Sequence, residues 1–188
     1  MLKETYDVEI SGIARKLPIC RVHDELYIAA FVIFGDVELT RACAADLLRL
    51  APEHDIMITA ESKGIPLIYE MARQNGEADY LIARKVPKLY MKEVFSVEVK
   101  SITTESRQSL CIDTADVAKM KGRRVLIVDD VISTGESIRA VEALVEQAGG
   151  IVVGKMCILA EGTDAKDRED ITYLSYIPLL DREGNPIE

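Results

Sequence analysis

The stretch from Arg124 to Ser137, RVLIVDDVISTGES, constrains the fold more than any other part of the chain. It opens with the apolar, largely β-branched run 125–128, which is typical of a parallel strand buried on both faces. Two acids follow, Asp129 and Asp130, and then a turn rich in small and hydroxyl residues. After the turn, apolar residues recur at helical spacing until Gly149-Gly150. This order predicts a strand-turn-helix unit of a parallel sheet.

The turn has the composition of a phosphate site. Free backbone N–H groups at a helix amino terminus, together with small hydroxyl side chains, bind phosphate oxygens. Carboxylates repel phosphate but suit sugar hydroxyls or a divalent metal, which predicts a phosphorylated sugar with its hydroxyls at Asp129 and Asp130. The plainer alternative, a buried strand and a capped helix, needs only one capping residue and leaves a costly acidic pair unexplained. The candidate phosphate-binding residues are Ser133, Thr134, Gly135, Glu136 and Ser137.

The same stretch resembles the phosphoribosyl diphosphate signature of type I phosphoribosyltransferases. That signature has four apolar residues, two acids, two apolar residues, a small residue, Thr, Gly, any residue, and Ser or Thr. Glu136 is a departure, because the adenine and orotate enzymes usually carry Gly there. The resemblance implies an α/β fold in which a parallel sheet flanked by helices carries a small hood and a flexible β-hairpin loop. It also implies Mg²⁺ as cofactor, held directly or indirectly at Asp129 and Asp130.

Composition excludes several other classes of function. The net charge of −9 argues against a nucleic-acid surface, which needs a basic patch. His23 and His54 are the only histidines, so a histidine-rich metal site is excluded. No apolar run has membrane-spanning length and no signal peptide is visible, so we expect a cytoplasmic protein without a membrane partner. Four separated cysteines in apolar surroundings are predicted to be reduced core residues: Cys20, Cys43, Cys111 and Cys157.

The chain of 188 residues is expected to form one phosphoribosyltransferase domain, with a hood contributed by about residues 1–35 and 160–188. Residues 1–35 alternate weakly between apolar and polar positions, which predicts short antiparallel strands in a flap outside the main sheet. Asp36 is predicted to cap a helix that runs to about Leu50. The core contacts expected from that helix are Val37, Leu39, Leu47 and Leu48.

Strands that alternate with helices through the middle of the chain predict a parallel sheet with helices on both faces. Pro66 suits the first turn of a helix that ends near Asn75-Gly76. Residues 95–99 and 109–112 are predicted to form a projecting hairpin around a mobile polar tip at 101–108. Residues 86–93 are predicted to be a loop, and 119–124 a basic lead into the next strand. The strands predicted for the sheet are 56–59, 80–83, 125–128, 151–159 and 171–177.

A second candidate ligand loop is Ala60–Gly64, AESKG. It resembles the diphosphate loop of adenine phosphoribosyltransferases, Glu-Ser-Arg-Gly, and the Lys-Gly-Ile-Pro stretch of orotate enzymes is matched from Lys63 onward. The resemblance implies that Ser62, Lys63 and Gly64 bind the leaving diphosphate, in a loop that often contains a non-proline cis peptide. Without the resemblance, Lys63 is a solvated surface lysine.

Three further cations follow the next predicted strand. Arg84, Lys85 and Lys88 resemble the RK..KL segment of adenine enzymes, in which cations neutralise the diphosphate. In that family part of this loop reaches the site of the neighbouring subunit, so the resemblance implies a homodimer. On its own, an Arg-Lys pair is usually a solvated strand end.

The base pocket is the least readable part of the sequence. Glu98, in FSVE, occupies the place of a Glu that exchanges a proton with the purine in adenine enzymes; the alternative is a strand glutamate facing water. Phe31 and Phe34 are candidates to stack on a purine and Glu161 to border it, although aromatics in apolar stretches are more often core. The loop with Lys, His, Gly and Glu that is typical of orotate enzymes is absent.

These features predict a purine phosphoribosyltransferase that uses phosphoribosyl diphosphate and a free purine, adenine favoured, in purine salvage. A xanthine or hypoxanthine-guanine enzyme is the nearest alternative. The alternative from another class is a non-catalytic regulator that senses phosphoribosyl diphosphate. Repressors of that kind add a DNA-binding domain, for which the chain has no spare segment, and RNA-binding attenuators need a basic face.

Overall fold

The structure is a computed structural model that describes residues 3–100 and 107–187. The polar tip predicted at 101–108 lies largely outside these residues, and its mobility stays a prediction. The strands are β1 (Thr5–Ile10), β2 (Ile13–His23), β3 (Leu26–Ala29), β4 (Ile56–Ala60), β5 (Leu81–Ala83), β6 (Val94–Lys100), β7 (Arg107–Asp113), β8 (Arg124–Ile132), β9 (Ile151–Glu161) and β10 (Thr172–Ile177). The helices are α1 (Val37–Leu50), α2 (Ile65–Asn75), α3 (Thr114–Met120), α4 (Glu136–Gln147) and α5 (Thr163–Lys166).

A parallel sheet of five strands, in the order β10-β9-β8-β4-β5, forms the centre of the molecule. Side chains of β8 alternate between two cores: Val125 and Ile127 pack with α4 and the β6–β7 hairpin, while Leu126 and Val128 pack with α1, α2 and β1–β3. Because both faces are covered, the strand is apolar throughout this run. The predicted α/β fold, a parallel sheet flanked by helices, is confirmed.

The sequence predicts that the acidic pair follows the strand. In the structure, both acids instead lie within strand β8. Asp129 pairs with Cys157, and Val131 pairs with Leu159. Strand β9 is 11 residues long and offers backbone partners beyond the apolar run, so the ladder continues through the acids. The carboxylates therefore start from a fixed strand backbone, and the turn begins only after Ile132.

The amino-terminal residues form a separate antiparallel sheet in the order β1-β2-β3, which confirms the predicted flap. Tyr27 of β3 exchanges two backbone hydrogen bonds with Leu180, at 2.8 and 2.9 Å. The segment that follows β10 is thereby attached to the flap. This contact joins the two parts of the chain from which a hood was expected.

Helix α1 begins as predicted, because the Asp36 side chain accepts a hydrogen bond from the backbone N–H of Leu39 at 3.1 Å. Leu39 and Leu47 are buried, but the prediction for Val37 was wrong, since it is 68% exposed on the first turn. Gly76, at φ +73°, ends α2 in the left-handed conformation that favours glycine. Pro66 lies in the first turn of α2, as expected.

Two further features differ from the sequence-based predictions. The basic lead before β8 is partly helical, because Asp113 accepts a hydrogen bond from Ala115 N at 2.9 Å and starts α3. Cys20 is exposed on β2, whose outward positions face solvent, whereas Cys43, Cys111 and Cys157 are buried as predicted. Within the described ranges, no helix is both long and apolar enough to span a bilayer.

Candidate active site

A cleft of about 600 Å³ opens where strands β4 and β8 end. Ligands bind at this edge in open parallel sheets. The cleft brings together six residues that the sequence singled out: Ser62, Lys63, Lys85, Asp129, Asp130 and Ser137. The remaining lining residues are Ala60, Glu61, Ser109, Leu110 and Val131.

A smaller cavity of about 110 Å³ is formed by the turn itself. Gly135 is the N-cap of α4 and adopts φ +76°, a conformation that favours glycine, so no side chain caps the first N–H groups of the helix. Asp129, Val131 and Ser137 line both this cavity and the larger cleft, so the two adjoin. All five residues predicted for a phosphate line the smaller cavity: Ser133, Thr134, Gly135, Glu136 and Ser137.

The acidic pair is buried and coupled to Lys63. Asp130 is 2% exposed, and its backbone N–H donates to Oδ1 of Asp129 at 2.9 Å. Lys63 Nζ lies 2.9 Å from Oδ2 of Asp130 and forms an ion pair with it, without the alignment of a hydrogen bond. Among the described residues, none donates a hydrogen bond to this oxygen. Burial, reinforced by the charge of Asp130, raises the pKa of Asp129 to about 7.

Gly64 allows the loop after β4 to approach the acids. A Cβ atom at this position would overlap with Oγ1 of Thr59 and lie 3.2 Å from Oδ1 of Asp129. The loop therefore needs glycine for its close approach and not for its φ angle, which is −69°. The Glu61–Ser62 peptide bond just before it is cis, as the resemblance implied.

Glu61 is a site residue that sequence reasoning missed. Its Oε1 atom lies 3.2 Å from Nη1 of Arg84 and 3.2 Å from Nζ of Lys88. Burial works to raise the pKa of Glu61, but Lys88 and Arg84 outweigh it and hold that pKa below its usual value. The sequence signal that could have identified this residue is the glutamate at the start of the ESKG motif. Arg84 and Lys88 thus approach the cleft through Glu61, while Lys85 lines it directly.

Glu98 lies opposite Ser109 in the β6–β7 hairpin. Directly opposed residues in an antiparallel pair point to the same face, and Ser109 lines the cleft. Glu98 therefore shares a face of the hairpin with Ser109, but it is not itself part of the cleft lining. Its role as proton-exchanging group stays a prediction.

The candidates for a base pocket lie apart from the two cavities described above. Phe31 is 5% exposed and belongs to the core between the sheet, α1 and α2. Phe34 is 51% exposed, and Glu161 is the last residue of β9. These three residues all belong to the described part of the chain, and none of them lines the cleft or the smaller cavity. Their contact with a base stays a prediction.

Comparison with known proteins agrees with this geometry. The phosphoribosyl transferase domain family matches residues 38–181. An adenine phosphoribosyltransferase from Petrotoga mobilis is 32% identical over 132 residues, which is 68% of this chain and 70% of that protein. A hypoxanthine/guanine phosphoribosyltransferase from Methanocella paludicola is 31% identical over 137 residues, 72% of this chain and 68% of that protein.

A solved structure has the same fold. The crystal structure of adenine phosphoribosyltransferase from Thermoanaerobacter pseudethanolicus matches with a TM-score of 0.64 and 24% identity, covering 92% of this chain and 95% of that one. The family match includes β4, β7, β8, α4, the loop after β5 and the turn, and therefore every element that forms the cleft. The chain belongs to the phosphoribosyltransferase family.

Proposed function

We propose that this protein is a purine phosphoribosyltransferase that transfers the 5-phosphoribosyl group of phosphoribosyl diphosphate to a free purine, adenine favoured. The products are a nucleoside monophosphate and diphosphate. The observation that carries the proposal is that the two cavities adjoin at Asp129, which lines both. A phosphate turn, an acidic pair and a cationic loop follow one another along this path. The substrate has the matching order of 5-phosphate, ribose diol and diphosphate.

The reaction is a displacement at the anomeric carbon of ribose, in which the leaving diphosphate departs early and positive charge develops on the ring. The protein contributes positioning and electrostatic stabilisation. Asp129 and Asp130 orient the ribose hydroxyls, and their negative charge favours the cationic ring. The phosphate turn, residues 133–137, anchors the 5-phosphate. The cations that hold the diphosphate are Lys63, Arg84, Lys85 and Lys88, with backbone support from Ser62 and Gly64.

Mg²⁺ suits this site because the acidic pair offers hard carboxylate oxygens, one of them buried without a hydrogen-bond donor. Within the described part of the chain, no group of three or more His, Cys, Asp or Glu residues could hold a metal ion. Asp129 and Asp130 would therefore hold the ion together with oxygens of the substrate. When bound, Mg²⁺ offsets charge on the leaving diphosphate.

The purine would enter beside the hairpin, where Glu98 exchanges a proton with it. Phe34, which is exposed, would stack on the base, with Phe31 behind it in the core and Glu161 at the border. The hood of one domain would then come from about residues 1–35 and 160–188. The Tyr27–Leu180 hydrogen bonds support this arrangement.

We also propose that the protein is a cytoplasmic homodimer. The loop after Arg84-Lys85 carries three exposed apolar side chains: Val86 at 57%, Leu89 fully, and Tyr90 at 67%. Exposed apolar side chains grouped on one loop are typical of an interaction surface. If a second copy of the chain covered this loop, the loop would lie beside the cleft of the second copy.

A hypoxanthine or guanine substrate is the second candidate, because the Methanocella paludicola relative that carries this name is nearly as similar as the adenine enzyme from Petrotoga mobilis. The test is diphosphate release from phosphoribosyl diphosphate and Mg²⁺ with adenine, hypoxanthine, guanine, xanthine or orotate. We expect release with a purine, fastest with adenine. Release with none of the five bases, together with tight binding of phosphoribosyl diphosphate, would instead indicate a non-catalytic sensor.

A further inference from the structure

Arg168, which lies between α5 and β10, packs against the phosphate turn from outside the two cavities. A Cβ atom at Gly135 would overlap with Nη1 of Arg168 and lie 3.2 Å from its Cζ. The guanidinium therefore occupies the space directly beside the glycine that caps α4. The side chain is only 18% exposed.

A network of ion pairs holds this guanidinium in place. Arg168 donates from Nε to Oδ1 of Asp170 at 2.9 Å and from Nη2 to Oδ2 at 2.7 Å, which leaves Nη1 facing Gly135. Lys155 Nζ lies 2.7 Å from Oδ2 of Asp170 and 2.8 Å from Oε1 of Glu142 on α4. The network thus runs from the phosphate turn back to the helix that the turn begins. A bidentate pair of this kind fixes both the orientation and the position of an arginine.

No residue of the phosphate turn is itself a cation, although Arg139 of α4 donates from Nη2 to the carbonyl oxygen of Thr134 at 3.2 Å. The side chains of the turn are neutral except for Glu136, which is acidic. The Arg168 network has two cations and two acids and therefore no net charge. The part of it that lies against the turn, however, is the positively charged Nη1 group of Arg168. A 5-phosphate bound there would meet the α4 amino terminus, with this fixed, positively charged N–H group behind Gly135.

We propose that Arg168 is a positioning residue for the 5-phosphate of the substrate, acting through Gly135 and held in register by Asp170. It keeps Gly135 in its left-handed conformation and offsets the acidic side chain that this chain carries in the turn. The inference rests on the proposed function, since it assigns a role within the same substrate site. It adds a residue that lies more than 30 positions beyond the signature.

The test measures binding of ribose 5-phosphate by calorimetry and steady-state kinetics with phosphoribosyl diphosphate and the preferred purine. Arg168→Gln is expected to weaken ribose 5-phosphate binding about tenfold and to raise KM for phosphoribosyl diphosphate similarly. The KM for the purine and kcat should stay within about twofold. Arg124→Gln is the matched control, because Arg124 forms a similar pair with Asp55 at the opposite end of β8.

Two further variants keep the test decisive if Arg168→Gln does not fold. Arg168→Lys retains the charge but loses the bidentate geometry, and Asp170→Asn frees the guanidinium; each should weaken ribose 5-phosphate binding about threefold. Unchanged binding in the folded variants, with an active wild-type enzyme, would overturn the role of Arg168 alone. A wild-type protein that binds neither ribose 5-phosphate nor phosphoribosyl diphosphate would overturn the proposed function itself.

Discussion

At the scale of single residues, ionisation of buried Asp129 lowers the stability of the folded protein. Burial and the charge of Asp130 raise its pKa from 3.8 to about 7. Between these values the folded state keeps a proton that the unfolded chain has lost, so stability from this group is present at low pH and is lost as pH rises to about 7.

Asp129→Asn should remove that dependence. Because Asn resembles the protonated acid, we expect the variant to gain about 1–2 kcal/mol of unfolding free energy relative to wild type at pH 8, and little at pH 4. Urea denaturation at the two pH values measures this difference. A gain of equal size at both values would mean that Asp129 is already ionised in the folded protein at low pH.

Gly64 gives a second prediction at this scale. Gly64→Ala should lower kcat/KM by at least about tenfold, because the new methyl group overlaps with Oγ1 of buried Thr59 and displaces the loop that carries Lys63. The double variant Gly64→Ala/Thr59→Ala removes the overlapping atom and should recover part of the activity. Additive losses in a double-mutant cycle would contradict this explanation.

At the scale of elements, sequence reasoning succeeded where a pattern is local. The apolar part of strand β8, the turn after that strand and the start of α1 each follow from a few adjacent residues. Helix α3 was missed because its seven residues carry little apolar pattern, although Asp113 gave a capping signal. The pairing of Glu61 with Arg84 and Lys88 depends on how β4 and β5 are juxtaposed, and no local pattern encodes it.

The β6–β7 hairpin carries the prediction for catalysis. Glu98→Gln should lower kcat about 100-fold while leaving the KM for phosphoribosyl diphosphate nearly unchanged, because Glu98 pairs with Ser109, which lines the cleft, and the amide cannot exchange a proton. Glu93→Gln, at the base of the same hairpin, is the control and should retain activity. A Glu98→Gln enzyme with full kcat would leave Glu98 as an ordinary strand residue.

At the scale of the whole molecule, the exposed loop after β5 predicts association. Leu89→Glu should shift the protein from dimer to monomer in sedimentation velocity, since a charge would be buried in the interface. Ile151→Glu is the control, because Ile151 is also exposed, at 56%, but lies at the amino end of β9, the opposite edge from the cleft. A monomeric wild-type protein would contradict the prediction.

The paired charges of the cleft have a consequence for selectivity. Lys63 lies opposite Asp130, and Glu61 lies between Arg84 and Lys88, so three of the four cations are already paired with the chain's own acids. A simple anion, such as a free nucleotide or a nucleic-acid strand, gains little from this cleft because it must compete with those acids. A ligand that presents hydroxyls and a diphosphate together can satisfy the acids and the cations in one exchange. We therefore expect the resting arrangement of charge to discriminate against the many cellular polyanions.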